Sequence, residues 1–412
     1  MKYADIIREY SKNTYVKMIR NAQGELKYPF VVPGSARYNN CLWDWDSWLS
    51  NVAIRQIMAD NDNDGSMFYK YEKGCILNFL NHIERDGRIP IAISPDGVPT
   101  MFDTKDSNIH KPCLVQHIAF ILRQNEEKYE WLLPVWDKIE LYINCYLNNF
   151  KHKETGLFFW KNDFAIGVDN DPCTFYRPEK SSASIFLNCM MYKELIAASY
   201  VCRLIGKDDK LYKSETEKLK NAVNEHLWDE KCGFYFSADL NLLPIDREGG
   251  LHSGMPRHWN SLIQRIDVWS GFMAMWAGIA DERQAKRMVR ENMMNPETFN
   301  AEYGIRTLSK LEKMYCVVKS DNPSCWLGPV WGISNYMCFK ALADYGFDEE
   351  AKTLAEKTIK LFGKDLLQTG DLHEYYNPDT GEGVNNPGFQ NWNLLVNNMI
   401  ARIEGRKTAE EF

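Results

Sequence analysis

An all-α (α/α)6 toroid is the fold this sequence predicts: six helical hairpins forming an inner and an outer ring, with short β-hairpins in the loops. From about residue 180 onward, nearly apolar helical segments alternate with charged ones. That is the pattern of a helix buried on most faces followed by one with a single dry stripe. Polar turns closing on glycine follow several of these segments, and Pro/Gly/Ser-rich linkers are missing, which favours one catalytic domain over residues 1–412.

In chain order, MKYADIIREYSKN is charged and amphipathic, without the apolar core and small-residue cleavage site of a signal peptide. Helical periodicity marks 68–84, 113–124 and 127–149, and Pro134 is expected to kink or restart the last. The stretch 184-SIFLNCMMYKELIAASYVCRLIG-206 is apolar nearly all round, whereas Leu211, Tyr212, Leu219, Ala222, Val223 and Leu227 form one stripe on the charged segment 209–228. The pairing recurs as 268–280 with 281–292, and as 327–346 with 348–362. The turns 153-KETGLFFW-160, 230-EKCGFYFS-237 and 378-PDTGEG-383 punctuate the series, two of them leading into the alternating aromatics of a hairpin.

Composition narrows the function. A net charge of -7 without a basic cluster argues against nucleic acid, and no long apolar run suggests a membrane span. Eleven cysteines, mostly in apolar helical sequence, read as reduced core residues of a cytoplasmic protein. Without a CxxC pair or HExxH, neither a metal site nor a cofactor is expected. The 21 Tyr and 13 Trp exceed ordinary packing needs, and several sit beside Gly, Pro, Asp and Asn, as at a concave site for a small carbohydrate.

Sugar hydrolysis needs two carboxyl groups on loops, one protonated and one ionised. Four loop-like stretches qualify: 33-PGSARYNNCLWDWDSWLS-50, 166-IGVDNDPCTFYRPEKSS-182, 300-NAEYGIRTLS-309 and 371-DLHEYYNPDTGEGVNNPGFQNW-392. Asp169 follows an apolar run that desolvates it, with Asp171 adding like-charge pressure, as a general acid requires; the plainer reading makes either Asp a turn or N-cap residue. Glu374, among turn formers, suits a general base holding a water, or else a salt bridge to Lys or Arg.

The stretch 33-PGSARYNNCLWDWDSW-48 resembles the first trehalase signature, and 322-NPSCWLGPVW-331 a later one. A closer resemblance is to glycoside hydrolase family 63 and its small bacterial relatives, the α-glucosidase-like, mannosylglycerate and glucosylglycerate hydrolases. It is carried by 111-KPCLVQH-117, 167-GVDNDP-172, the Trp-x-Gly-Pro-x-Trp run and 374-EYYNPDTG-381, in the family's order. The resemblance implies an (α/α)6 toroid that hydrolyses α-linked glucosides or mannosides with inversion, Asp169 being the general acid and Glu374 the general base. Two features depart from the family: Asp171 replaces its usual Ser, and 172-PCTFYRPEK-180 lacks its Pro-Arg-Trp continuation. Both lie beside the acid and bear on substrate preference.

At the sugar subsite, Trp43 or Trp45, Trp326 and Trp331 are expected to stack on pyranose faces, or else to pack in the core. Arg37, Asn39, Asp46 and Gln116 are expected to bind hydroxyls, and Tyr38, Lys111, Asn170, Gly328, Tyr375 and Trp392 to complete the site. Arg177, Lys180 and Arg257 are candidates to rim it, either facing an aglycone carboxylate or simply solvated, and 249–260 has the composition of a flap. Two alternatives stand beside the hydrolase: a catalytically inactive carbohydrate-binding protein on the same fold, and a sugar epimerase or unsaturated-uronyl hydrolase. Epimerases of that type lean on histidine pairs, and only His117 and His373 fall inside the motifs.

Overall fold

A computed structural model describes residues 2–175, 177–242, 259–317 and 323–412. Twelve α-helices lie among the described residues: α1 (Tyr3–Thr14), α2 (Asp44–Ala59), α3 (Tyr69–Asn81), α4 (Leu114–Gln124), α5 (Trp136–Asn149), α6 (Ile185–Leu204), α7 (Lys210–His226), α8 (Met273–Trp276), α9 (Glu282–Arg287), α10 (Gly332–Asp344), α11 (Asp348–Thr369) and α12 (Val396–Ile403). The even-numbered helices close a ring, α2 on α4, α4 on α6, α6 on α8, α8 on α10, α10 on α12 and α12 back on α2. Around it, α1 packs on α2, α11 and α12, α3 on α4, α7 on α6, and α11 on α10. The protein is an (α/α)6 toroid.

Patterning explains the two rings. Helix α6 is long and apolar enough to cross a membrane, but most of its residues are buried, with α4, α7 and α8 packed against it. On α7 the expected stripe buries Tyr212, Leu219, Ala222 and Val223, while its charged face meets solvent. Local chemistry sets the ends: Asp281 and Gln284 form a capping box that starts α9, and Gly370 ends α11 in the left-handed conformation at φ +79. Pro134 sits in a 3-10 turn, Glu130–Val135, and the chain restarts as α5.

The polar turns are hairpins, pairing Trp228–Asp229 with Phe234–Tyr235, Tyr375–Tyr376 with Gly383–Val384, and Lys151 with Phe158. Two helices differ from expectation. The tryptophan-rich stretch is the last strand residue and first turn of inner helix α2, not a loop, because Asp44 and Asp46 suit the positive N-terminal end of a helix. Segment 391–403 is a 3-10 turn running into α12, where sequence suggested only a loop up to Trp392.

Candidate active site

A cavity of about 400 Å³ lies among the N-terminal ends of the inner helices. Arg37, Tyr38, Trp43, Trp45 and Asp46 reach it at the start of α2, Lys111 just before α4, and Asp169 from the long loop before α6. Trp326 and Trp331 reach it ahead of α10, and Glu374 and Trp392 ahead of α12.

Helical geometry separates the two aspartates of α2. Residues two apart point roughly 200° from each other. Asp44 turns inward, where both its oxygens take the Lys111 ammonium, at 3.1 and 3.2 Å, and one takes the Lys111 N–H at 2.9 Å. Asp46 faces the cavity and accepts from Asn391 Nδ2 at 2.5 Å. Burial and the neighbouring Asp44 push the Asp46 carboxyl up to about 7, against the pull of Lys111 and Asn391. The Lys111 ammonium also lies 5.1 Å over the Trp45 ring.

Asp169 is placed by its neighbours. Asn170 accepts the Trp326 N–H at 2.7 Å, stitching its loop to 323–331. Gly167 has φ +85, and a Cβ there would stand 2.7 Å from Lys111 Cε and 2.9 Å from Trp45, so the turn leaves no room for a side chain. Burial raises the Asp169 carboxyl above its ordinary value, opposed by Lys111, a hydrogen bond to Ser324 and Arg37. Asp171 takes the turn role instead of exerting like-charge pressure: it accepts from Cys173 N at 3.2 Å and Thr174 Oγ1 at 3.1 Å, and burial pushes it up to about 6.

Glu374 precedes the strand Tyr375–Tyr376, which is bonded through Tyr376 to Val330 in both directions at 2.9 Å. That bridge carries Glu374 to Ser324. One carboxylate oxygen accepts from Ser324 Oγ at 2.9 Å and Tyr38 OH at 3.2 Å, the other from Asn385 Nδ2 at 2.9 Å. Burial raises this carboxyl too, opposed by hydrogen bonds from Ser324, Asn386 and Tyr38 and by the Arg37 charge. Among the described residues it enters no salt bridge. Ser324 therefore contacts both carboxyls. Beneath them the indoles pack together: Trp326 stacks on Trp331 with centroids 3.9 Å apart, and Trp45 meets Trp392 edge-on at 4.9 Å.

Residues 38–392 match the model of the mannosylglycerate hydrolase MGH1-like glycoside hydrolase domain. The chain belongs to this family. A mannosyl-oligosaccharide glucosidase of Arabidopsis thaliana is 23% identical over 320 residues, 67% of this chain and 37% of that protein. A mannosylglycerate hydrolase of Thermus thermophilus is 27% identical over 172 residues, 42% of this chain and 34% of that protein. The crystal structure of a GH63 mannosylglycerate hydrolase from Thermus thermophilus in complex with glucose superposes with a TM-score of 0.69 at 19% identity, covering 95% of this chain and 99% of that one. The chain spans between 33% and 52% of the length of eight curated relatives that it matches.

Six expected site residues of this glycoside hydrolase domain lie off its cavity wall. Gln116 is fully buried and gives its amide to Pro112 O at 2.6 Å and Met190 O at 3.1 Å, so it ties α4 to α6. Asn170 is spent on Trp326, and Tyr375 stacks on Trp331 with its hydroxyl on Pro323 O at 2.9 Å. Gly328, at φ +134, is packed against Tyr315, and Asn39 does not line the cavity. Arg177 is ion-paired with Asp239. Arg257 and nearly all of the expected flap lie outside the described residues. The loop 300–309 forms a hairpin away from the cavity, with Arg306 giving its guanidinium to the carbonyls of Pro296, Thr298 and Asn300.

Neither motif histidine serves the cavity. His117 meets Asn51 at 2.7 Å and is pushed down to about 3 by burial, while His373 pairs with Asp365 at 2.9 Å. The sequence reading missed Ser324, Phe102, Phe164 and Phe389 on the wall. Ser324 lies within 322–331, where the tryptophans are the stronger signal; the three phenylalanines carry no local signal.

Proposed function

We propose that the chain is an inverting hydrolase of small α-linked glucosides or mannosides, with Asp169 as general acid and Glu374 as general base. The observation that supports this reading most is the meeting of two carboxyls from distant loops on one cavity and one Ser324 hydroxyl, both raised by burial. Asp169 gives its proton to the glycosidic oxygen as the C1–O bond breaks. Glu374 takes a proton from the water whose oxygen bonds to C1 from the opposite face. Asp46 binds the sugar's hydroxyls, and Trp43, Trp326 and Trp392, which line the same cavity, offer ring surface to its pyranose face. The names of the relatives, mannosylglycerate hydrolase and mannosyl-oligosaccharide glucosidase, fit this substrate class. Eleven free cysteines fit a reducing, cytoplasmic setting.

Proton NMR of fresh product decides the stereochemistry: an α-linked substrate releases the β-anomer first. Retained configuration would overturn the mechanism, and release from no glucoside, mannoside, trehalose or glycosylglycerate would favour the binding protein. The pH profile of kcat/KM supplies a second check. Glu374 must be ionised and Asp169 protonated, and burial raises both, so both limbs lie above the ordinary carboxylate range. Lys111 stabilises ionised Asp169, so Lys111→Met raises the acid's pKa and moves the alkaline limb to higher pH. An alkaline limb that stays put or moves down would contradict the assignment.

A further inference from the structure

The geometry points to an apolar subsite for the leaving group: this chain takes α-glycosides whose aglycone is an aryl or alkyl alcohol. The inference rests on Asp169 being the general acid, because the aglycone must then lie beside Asp169. The loop that carries Asp169 also sends Phe164, Ala165 and Phe175 to the cavity, and Ile91, Met101 and Phe102 continue the same apolar wall. Ile91, Ala92 and Phe102 form a small apolar cluster separate from the main core, with Cys41, Trp43 and Ala165 packed against it. Phe102 meets Trp43 edge-on at 5.0 Å and Phe164 at 6.4 Å.

Two of these side chains remain open to solvent, Met101 at 57% and Phe164 at 42%. Large apolar groups at the mouth of a polar site gain by covering, and an apolar ligand portion supplies the cover. Charge argues the same way. The charged group next to Phe164 on this wall is Asp163, which repels a carboxylate. Of the cations that line the cavity among the described residues, Lys111 is held by Asp44, and Arg37, 5.5 Å over the Tyr38 ring, acts on the two carboxyls Asp169 and Glu374, which balance its charge. Arg177, a sequence candidate for the rim, is occupied by Asp239.

Benzyl and methyl α-D-glucosides and mannosides test this, since the two alcohols are of similar acidity and differ chiefly in apolar area. Binding is read by tryptophan fluorescence on the Asp169→Asn protein, and kcat/KM on the unmodified chain. The benzyl glycoside is expected to bind at least about tenfold tighter than the methyl one. The double replacement Met101→Ser, Phe164→Ser, at two solvent-exposed positions, is expected to bring the ratio to within about threefold. Equal binding of benzyl and methyl glycosides, a ratio untouched by the double replacement, or tighter binding of the glycerate conjugate would overturn the subsite. A benzyl preference in binding without turnover would support the subsite while sinking the hydrolase reading.

Discussion

Asp169→Asn and Glu374→Gln each lower kcat by about 10²- to 10⁴-fold while the chain stays folded. In the proposed mechanism both carboxyls act on a proton in flight, so an amide of the same shape keeps packing and removes the chemistry. The two variants separate by leaving group. With an activated leaving group such as fluoride, protonation is no longer required, so Asp169→Asn recovers much of its rate and Glu374→Gln does not. Steady-state kinetics on both substrates, with circular dichroism for folding, provide the check. Turnover within a few-fold of the unmodified chain for either variant would mean that the proton is handled elsewhere. Glu374→Gln keeps a partner for Ser324 and Tyr38, which limits structural side effects.

Arg55→Met is expected to destabilise the fold by about 3–5 kcal/mol. Arg55, on α2, bonds Glu72 of α3 through two nitrogens at 2.6 Å each, and both side chains are buried. The guanidinium also reaches Asp64 O at 3.0 Å and Asn125 Oδ1 at 2.9 Å. Removing the cation strands a buried carboxylate. Removing both, as Arg55→Met with Glu72→Leu, recovers most of the loss, because most of it comes from keeping an unpaired charge out of water. Urea denaturation measures it, and a loss below about 1 kcal/mol for the single variant would show that water already reaches Glu72. The same helix carries Trp45 and Asp46, so this pair also anchors one wall of the site.

Much of the toroid was legible because its signals are local. Apolar α6 followed by striped α7, and α10 followed by α11, record in their own periodicity which faces meet water. Glycine-closed turns likewise announce hairpins in a few residues. The start of α2 escaped because alternating Trp and Asp resembles a loop, although a period of 3.6 would have sent Asp44 and Asp46 to different sides. Gln116 shows the opposite error. A polar side chain in a motif looked like a ligand contact, yet the buried carbonyls of Pro112 and Met190 claim its amide.

Sequence alone determined the ring alternation, the hairpin turns, and a shortlist in which Asp169, Glu374, Asp46 and the tryptophans did reach one cavity. Only the tertiary structure decided which aspartate of α2 faces that cavity, that Lys111 is held by Asp44, and that Ser324 stands between two carboxyls. It likewise decided that Met101, Phe102 and Phe164 share the wall of that cavity with Asp169. The reason is range. Periodicity and turn chemistry act over a few neighbouring residues, whereas the charge on a carboxyl and the polarity of a wall depend on side chains brought together from distant parts of the chain.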